Sequence, residues 1–423
     1  MRGKSLFYMT IVAIILCGAA IYISRSIRQG PSKSMGQKVF ADMPVNDIDT
    51  IKVTSKSGTA TITRVGDSWV TADRFNYPAN FEKIKNLLIR LGDIKITQSM
   101  RVSKKHIDQM KFNDPAGDKA TADNSATVVT LSGGGRQIQS FMVGAPHMKK
   151  SDQPGMPEGV SYPDGSFISI DQGKTAYLVK DTMEEFGIDP KSWLNTELFT
   201  LQTGDIEEMT LHTPSNQSVK LYRKEGTMRV DGIQAIEEVN SAKVNAMEAS
   251  LGYLRLDDVA DPSLKDASTG LDNPYILTAT TKDGEKYTAK ISSRMATNET
   301  RFVKFEFALL DAKKEEPKAE PAVISTNAPA APAKTDAQKK TEEAAKAEQR
   351  KQQEEKIKGL NEQFGKWTFV MERYRTDSMI ATRDELVSRK IIKDETGEKS
   401  VIRPGEAQYV APAPDVPTPS NKY

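Results

Sequence analysis

The sequence predicts an α+β fold: a single N-terminal transmembrane helix followed by two tandem repeats of antiparallel sheet plus helix. Three observations carry this expectation. Residues 6–23 (LFYMTIVAIILCGAAIYI) hold no charge. Paired runs of period-two alternation recur in both halves of the chain. In each half an apolar stripe at helical spacing follows the first such runs, as a helix covering one sheet face requires.

The 18-residue uncharged segment comes close to the ~20 residues that a helix needs to cross a bilayer. Leu6, Ile11, Ile14, Leu16, Ile21 and Ile23 are its membrane anchor residues, with Tyr8 and Tyr22 near the interfaces. A cleaved leader would need a small-x-small site. Tyr22-Ile23-Ser24-Arg25 after Ala19-Ala20 supplies none. Leu16 before Cys17 also departs from a lipoprotein signal, so the segment reads as an uncleaved anchor within a 1–30 stub.

Residues 48–53 and 60–64 form the first alternating pair, and residues 206–211 and 219–223 match them in pattern, each pair closing on an arginine. Both read as hairpins with one buried face. A short strand follows at 68–70 and at 227–230. Next comes a helix: Phe81, Ile84, Leu87, Leu88 and Leu91 in one half, Val244, Met247, Leu251 and Leu254 in the other. Asn80 and Ser241 are its expected N-caps, and Pro78 ends the strand before the first helix. The offset between halves stays between 158 and 160, drifting only at turns.

The later hairpins also correspond. Residues 127–131 and 138–143 flank Gly133-Gly134-Gly135, and residues 275–281 and 287–291 flank Asp283-Gly284, a strong hairpin signal. Residues 166–170 and 176–179 turn through Gln172-Gly173-Lys174. The counterpart strand, 301–307, finds its partner only at 367–374. Between them lies an insertion, 309–365. Residues 312–334, rich in Ala, Pro and Lys, read as linker, and residues 336–363 as a charged helix with Glu342/Lys346, Lys351/Glu355 and Glu354/Lys358 pairs. It has no apolar seam between Asp336 and Glu355, so it reads as solvated rather than as a coiled coil. The expected units are residues 31–200 and 201–402. The tail, 403–423, carries five prolines and reads as extended or disordered.

Composition narrows the function classes. Lys plus Arg is 59 against 57 Asp plus Glu, a net charge of +2, which argues against a dedicated nucleic-acid binder. The 38% hydrophobic content excludes a wholly disordered chain, and a mean hydropathy of −0.52 excludes a multi-span membrane protein. The single cysteine, Cys17, permits no intramolecular disulfide.

No catalytic constellation stands out. His106, His147 and His212 lack ligand partners at helical spacing, so no metal is expected. There is no Gly-x-Ser-x-Gly elbow. Gly173-Lys174-Thr175 has Ile168 where a phosphate loop needs its first glycine, and a strand follows it. The acidic clusters Asp47/Asp49, Asp257/Asp258/Asp261 and Glu184/Glu185 read as solvated surface. Trp69, Trp193 and Trp367 sit in strand or helix signals and read as core rather than as sugar platforms. Neither an enzyme nor a cofactor is expected.

The strands ending in Trp69, the Tyr77-Pro78 before the helix, and Leu87-Leu88-Ile89-Arg90-Leu91 together resemble one family. Phe141-Met142-Val143-Gly144, Ala176-Tyr177-Leu178-Val179 and Pro190-Lys191-Ser192-Trp193-Leu194 carry the same resemblance. It is the domain of unknown function 4340 (DUF4340) family, similar to extracytoplasmic auxiliary proteins of gliding-motility-type ABC transporters. The similarity covers about residues 45–390 without the insertion. The second half departs from it, with Met228 in place of Trp69 and no Tyr-Pro before its helix.

The resemblance implies a single-pass protein of the bacterial inner membrane with its bulk on the periplasmic side. In that context, the anchor and the duplicated scaffold without a catalytic constellation read as a non-enzymatic accessory or scaffold subunit, with ABC transporter permease and ATPase subunits or other envelope proteins as partners. A glycan- or peptide-binding envelope module is the alternative. Residues 147–165 read as the longest loop of the first half, and His147, Met156, Tyr162 and Asp164 as its candidate partner contacts.

Overall fold

The computed structural model describes residues 34–151, 161–310, 336–393 and 399–401. The anchor residues Leu6 to Ile23, the linker 312–334 and the tail 403–423 lie outside the described residues. Among the described residues no helix is long and apolar enough to cross a membrane. Contacts divide the chain into two compact units, the first reaching Thr196 and the second starting at Glu197. The break falls slightly before the expected 200/201 because Leu198 and Leu201 already donate to Leu254 and Leu251 of the second unit.

The first unit begins with strands β1 (Thr50–Ser55), β2 (Gly58–Val65), β3 (Ser68–Thr71) and β4 (Tyr77–Pro78). Helix α1 (Phe81–Asp93) follows, then β5 (Ile96–Arg101), β6 (Thr127–Gly133), β7 (Arg136–Lys150), β8 (Ser161–Ser169) and β9 (Thr175–Val179). The sheet order is β4-β3-β2-β1-β6-β7-β8-β9-β5, and the neighbours are antiparallel. Alternation decides which face is inside. Ile51 opposes Ile62 and Leu131, Val53 opposes Ala60 and Val129, and all of these are buried. Helix α1 lays Ile84, Leu87, Leu88 and Leu91 on that face, in one core with Phe141, Phe186 and Trp193. Each such side chain contributes about 1.5–3 kcal/mol through burial.

The second unit holds β10 (Ile206–His212), β11 (Ser218–Lys224), β12 (Thr227–Val230), β13 (Glu237–Val239), helix α2 (Ser241–Ala249), β14 (Asp258–Val259) and helix α3 (Asp266–Thr269). It continues with β15 (Tyr275–Thr281), β16 (Glu285–Thr297), β17 (Thr300–Leu309), helix α4 (Asp336–Leu360), a π-helical turn at Asn361–Gly365 and β18 (Phe369–Glu372). Helices α5 (Arg373–Met379) and α6 (Arg383–Leu386) precede β19 (Val387–Arg389), β20 (Ile391–Lys393) and β21 (Lys399–Val401). The main sheet runs β12-β11-β10-β15-β16-β17-β18-β14. Taken in chain order, this is the succession β3-β2-β1-β6-β7-β8-β9-β5 of the first sheet, which adds only β4 at its edge.

Antiparallel sheet with segregated helices is thus the observed α+β architecture. Four local expectations need correction. The second helix is capped by Asn240, not Ser241: the Asn240 carboxamide oxygen accepts from Lys243 N–H at 3.2 Å. Helix α2 ends at Ala249, so Leu251 and Leu254 pack from the turn beyond it. The strand expected over 367–374 is only β18, because α5 takes over at Arg373. There the buried residues become Thr376 and Met379, three apart, and Arg373 Nε reaches Asp377 at 3.0 Å.

The fourth correction concerns the charged helix, whose far end is docked rather than solvated. Ile357 and Phe364 are buried, both beyond the seamless stretch. Phe364 joins a ring cluster with Phe199, Phe307 and Phe369. Lys356 pairs with the buried Glu285, at 2.7 and 2.9 Å from its two oxygens.

Candidate functional site

Three of the four candidate contact residues lie in paired strands rather than in a loop; Met156 lies outside the described residues. The alternation of β7 does not stop at Val143. Its pairing with β6 ends there, yet β7 runs on to Lys150 against β8 alone. Met148 opposes Pro163, Lys149 opposes Tyr162 and Lys150 opposes Ser161, with register shifts after Val143 and His147. The result is a two-stranded ribbon leaving the sheet.

Two glycines let the ribbon depart. A Cβ on Gly144 would lie 2.3 Å from the Met110 carbonyl oxygen, and one on Gly165 would lie 2.2 Å from that of Val179. Neighbouring backbone therefore packs against the ribbon's base at distances only glycine allows. Ala145 N–H donates to Met110 O there, at 2.9 Å.

At that base His147 Nδ1 meets Asp164 Oδ1 at 2.5 Å, and the imidazole stands edge-on to Phe167, 5.9 Å between ring centres. The hydrogen bond with His147, helped by the nearby charges of Lys149 and Lys180, holds the Asp164 carboxyl below its ordinary range. His147 and Asp164 are partly exposed, so water screens the pair. Further out, Met148 is 51% and Tyr162 44% exposed. Sequence reasoning missed Met148, Lys149 and Phe167. The signal available was the continued extended pattern of 144–150 opposite 161–165.

Several other residues that the sequence singles out hold structural positions. Trp69, Trp193 and Trp367 are all buried. Gly173 is a turn residue with φ +79°, and Ser169 Oγ, itself buried, accepts from its N–H at 2.9 Å. Asp171 in the same turn accepts from Thr175 N–H and Oγ1. Among the described residues no group of three or more His, Cys, Asp or Glu side chains is placed to hold a metal ion.

Fold and site define an α+β protein of two antiparallel-sheet units, the first with a projecting β-ribbon. Residues 69–274 match the family described as Domain of unknown function (DUF4340), so the resemblance to that family holds over this span. The span runs from Trp69 in β3 to Pro274 just before β15, less than the 45–390 read from the motifs. No curated protein and no solved structure matches the chain.

Proposed function

We propose that the chain is a membrane-anchored, extracytoplasmic, non-enzymatic scaffold subunit of a bacterial ABC transporter or related envelope assembly. Residues 6–23 are its single span and the two units its extracytoplasmic bulk. The observation that carries this reading is the shared strand order of the two sheets. One sheet-and-helix plan used twice is a means of presenting surfaces. The projecting ribbon, with Met148 and Tyr162 exposed, supports the same reading as a place for partner contact.

The test is extraction of the tagged full-length protein from its own membranes in mild detergent, with mass spectrometry of what co-purifies. An ATPase and a permease at near-stoichiometric levels are expected. Their absence in repeated extractions, with the protein itself recovered folded, rejects the reading.

A further inference from the structure

Residues 34–39 tie the start of the first unit to β5. Gly36 N–H donates to Ile96 O at 2.8 Å, Ile96 N–H to Gln37 O at 2.9 Å and Val39 N–H to Ile94 O at 2.9 Å. The Ser34 hydroxyl donates to Ser99 Oγ at 3.2 Å. This segment runs antiparallel to β5, with Lys38 opposite Lys95. Going back along the chain from Val39 to Ser34 is therefore going forward along β5, toward Arg101. The chain enters the unit at the Arg101 end of β5.

That end is basic. Residues 94–107 hold Lys95, Arg101, Lys104 and Lys105 and no Asp or Glu. Val102 N–H donates to Lys174 O at 2.9 Å, which brings a fifth cation alongside from the turn between β8 and β9. Lys95 has Asp93 nearby, the carboxylate that pairs with Lys38 at 2.7 Å. Arg101, Lys104, Lys105 and Lys174 are exposed, and among the described residues none of the four has an ion-pair partner. The acid closest in sequence to Lys174, Asp171, is engaged by Ser169 and Thr175. The whole chain balances 59 cations against 57 acids, so this surplus is local. Met35, 56% exposed, adds an apolar side chain where the chain enters.

The chain itself limits what this surface faces. Ten residues, 24–33, separate Ile23 at the end of the uncharged segment from Ser34. Even fully extended, ten residues span at most about 35 Å. With residues 6–23 across a bilayer, the Arg101 end of β5 is held close to the headgroups. The same ten residues carry Arg25, Arg28 and Lys33 and no acid. Clustered Lys and Arg beside a span are attracted to anionic headgroups.

We propose that Arg101, Lys104, Lys105 and Lys174 seat the first unit on anionic phospholipid headgroups of the membrane that anchors it. Lipid phosphates supply the acceptors that these cations lack within the fold. The inference rests on the reading of residues 6–23 as a span, and it concerns a different surface from the ribbon.

The test uses the full-length protein with Cys17→Ser and Gln98→Cys, which places one fluorophore at an exposed position of β5. It is reconstituted in vesicles of phosphatidylcholine alone, or of phosphatidylcholine and phosphatidylglycerol at about three to one, with a contact quencher on the headgroups. Quenching reads docking. It should be strong with phosphatidylglycerol and weak without it, and it should fall to the weak level in about 1 M salt, where charges are screened beyond about 3 Å. Each cation near an anionic surface is worth about fivefold in the docked population, so Lys104→Glu/Lys105→Glu should lower that population at least about twentyfold. Lys52→Glu/Lys56→Glu, an equal charge change at exposed positions elsewhere in the unit, should leave it unchanged. Equal quenching in both lipids would overturn the proposal. So would undiminished quenching in Lys104→Glu/Lys105→Glu, or an equal loss in Lys52→Glu/Lys56→Glu. A protein that alkaline carbonate strips from the vesicles has no span, which rejects the anchor and the docking with it. A protein that stays embedded without phosphatidylglycerol-dependent quenching rejects the docking alone.

Discussion

The Asn361 carboxamide pairs with the Phe307 peptide unit as a neighbouring strand would, its Oδ1 accepting from Phe307 N–H at 3.2 Å and its Nδ2 donating to Phe307 O at 2.8 Å. The pairing solves a problem created by the insertion. Strand β18 covers β17 only over Thr300 to Val303, which would leave the rest of that edge open. Open edges invite wrong pairing. Asn361 sits in the π-helical turn after α4, so the end of the insertion closes the edge that the insertion itself exposes.

Asn361→Ala should therefore cost about 1–3 kcal/mol, the usual consequence of stranding a donor and an acceptor that folding has shielded. The expected signature is local. Amide exchange at Phe307 and over Ile357 to Phe364 accelerates, while β10 and β11 amides keep their protection. Uniform acceleration across the second unit would show that the contact supports global stability instead. No acceleration at Phe307 would refute its role at the edge.

Lys356 and Glu285 add a second attachment of the same helix. Glu285 is buried and also accepts from Tyr287 Oη at 2.7 Å. Burial, then the bond to Glu285, raises the Tyr287 phenol well above its ordinary range, so it stays a donor. Lys356→Ala removes one of the two donors and should destabilise by about 1–3 kcal/mol, while Lys356→Ala with Glu285→Gln should recover part of that loss. A urea midpoint for each variant checks this. Equal midpoints for wild type and Lys356→Ala would remove the ion pair from the account.

These contacts mark where sequence reading stopped. The sheet strands of both units were legible because Ile51, Val53, Met209 and Leu211 alternate, and α1 because its leucines keep helical spacing. The docking of α4 was not, since it rests on Ile357, Asn361 and Phe364 at the very end of a polar helix. Their partners Phe307 and Glu285 are more than 50 residues away in the chain. The same limit hid a cleft beside Lys243, whose walls come from residues 240–246, from Tyr275 and from residues 373–385, far apart in the chain. It hid the ribbon too: a Gly/Pro-rich run looked like a loop, and only cross-strand pairing reveals a hairpin. Similar sequence patterns also conceal different roles, as the arginines closing the first hairpins show. Arg64 is exposed, whereas Arg223 is pinned.

Arg223 offers a sharper test. Its guanidinium donates to the Ile206, Thr203 and Gly226 carbonyls and to Glu248. A planar fork can reach several acceptors at once, which a single ammonium cannot. Arg223→Ala should cost about 3 kcal/mol by leaving a largely buried carboxylate and three carbonyls short of donors, and Arg223→Lys should restore less than half of it. Full rescue by lysine in thermal or urea unfolding would mean that charge alone matters there.

The Glu237–Arg383 pair predicts a pH dependence. Arg383 donates through both terminal nitrogens to Glu237, at 3.0 and 2.9 Å, and also to Gly232 O at 2.9 Å. The pair joins α6 to β13, beside the β13–β19 ladder. The Arg383 hydrogen bonds, seconded by Gln234 N–H, pull the Glu237 carboxyl down from 4.5 to about 2. A carboxylate that is more acidic folded than unfolded contributes stability above the unfolded value and loses it as pH falls through the folded one. The contribution should be complete above about pH 5 and gone near about pH 2. Glu237→Gln lacks it at every pH. Comparing urea midpoints of wild type and Glu237→Gln cancels the titration of all other carboxylates. The gap between the two proteins should be widest near neutrality and close on acidification. Parallel curves down to the lowest pH would show that the pair holds no charge-dependent stability.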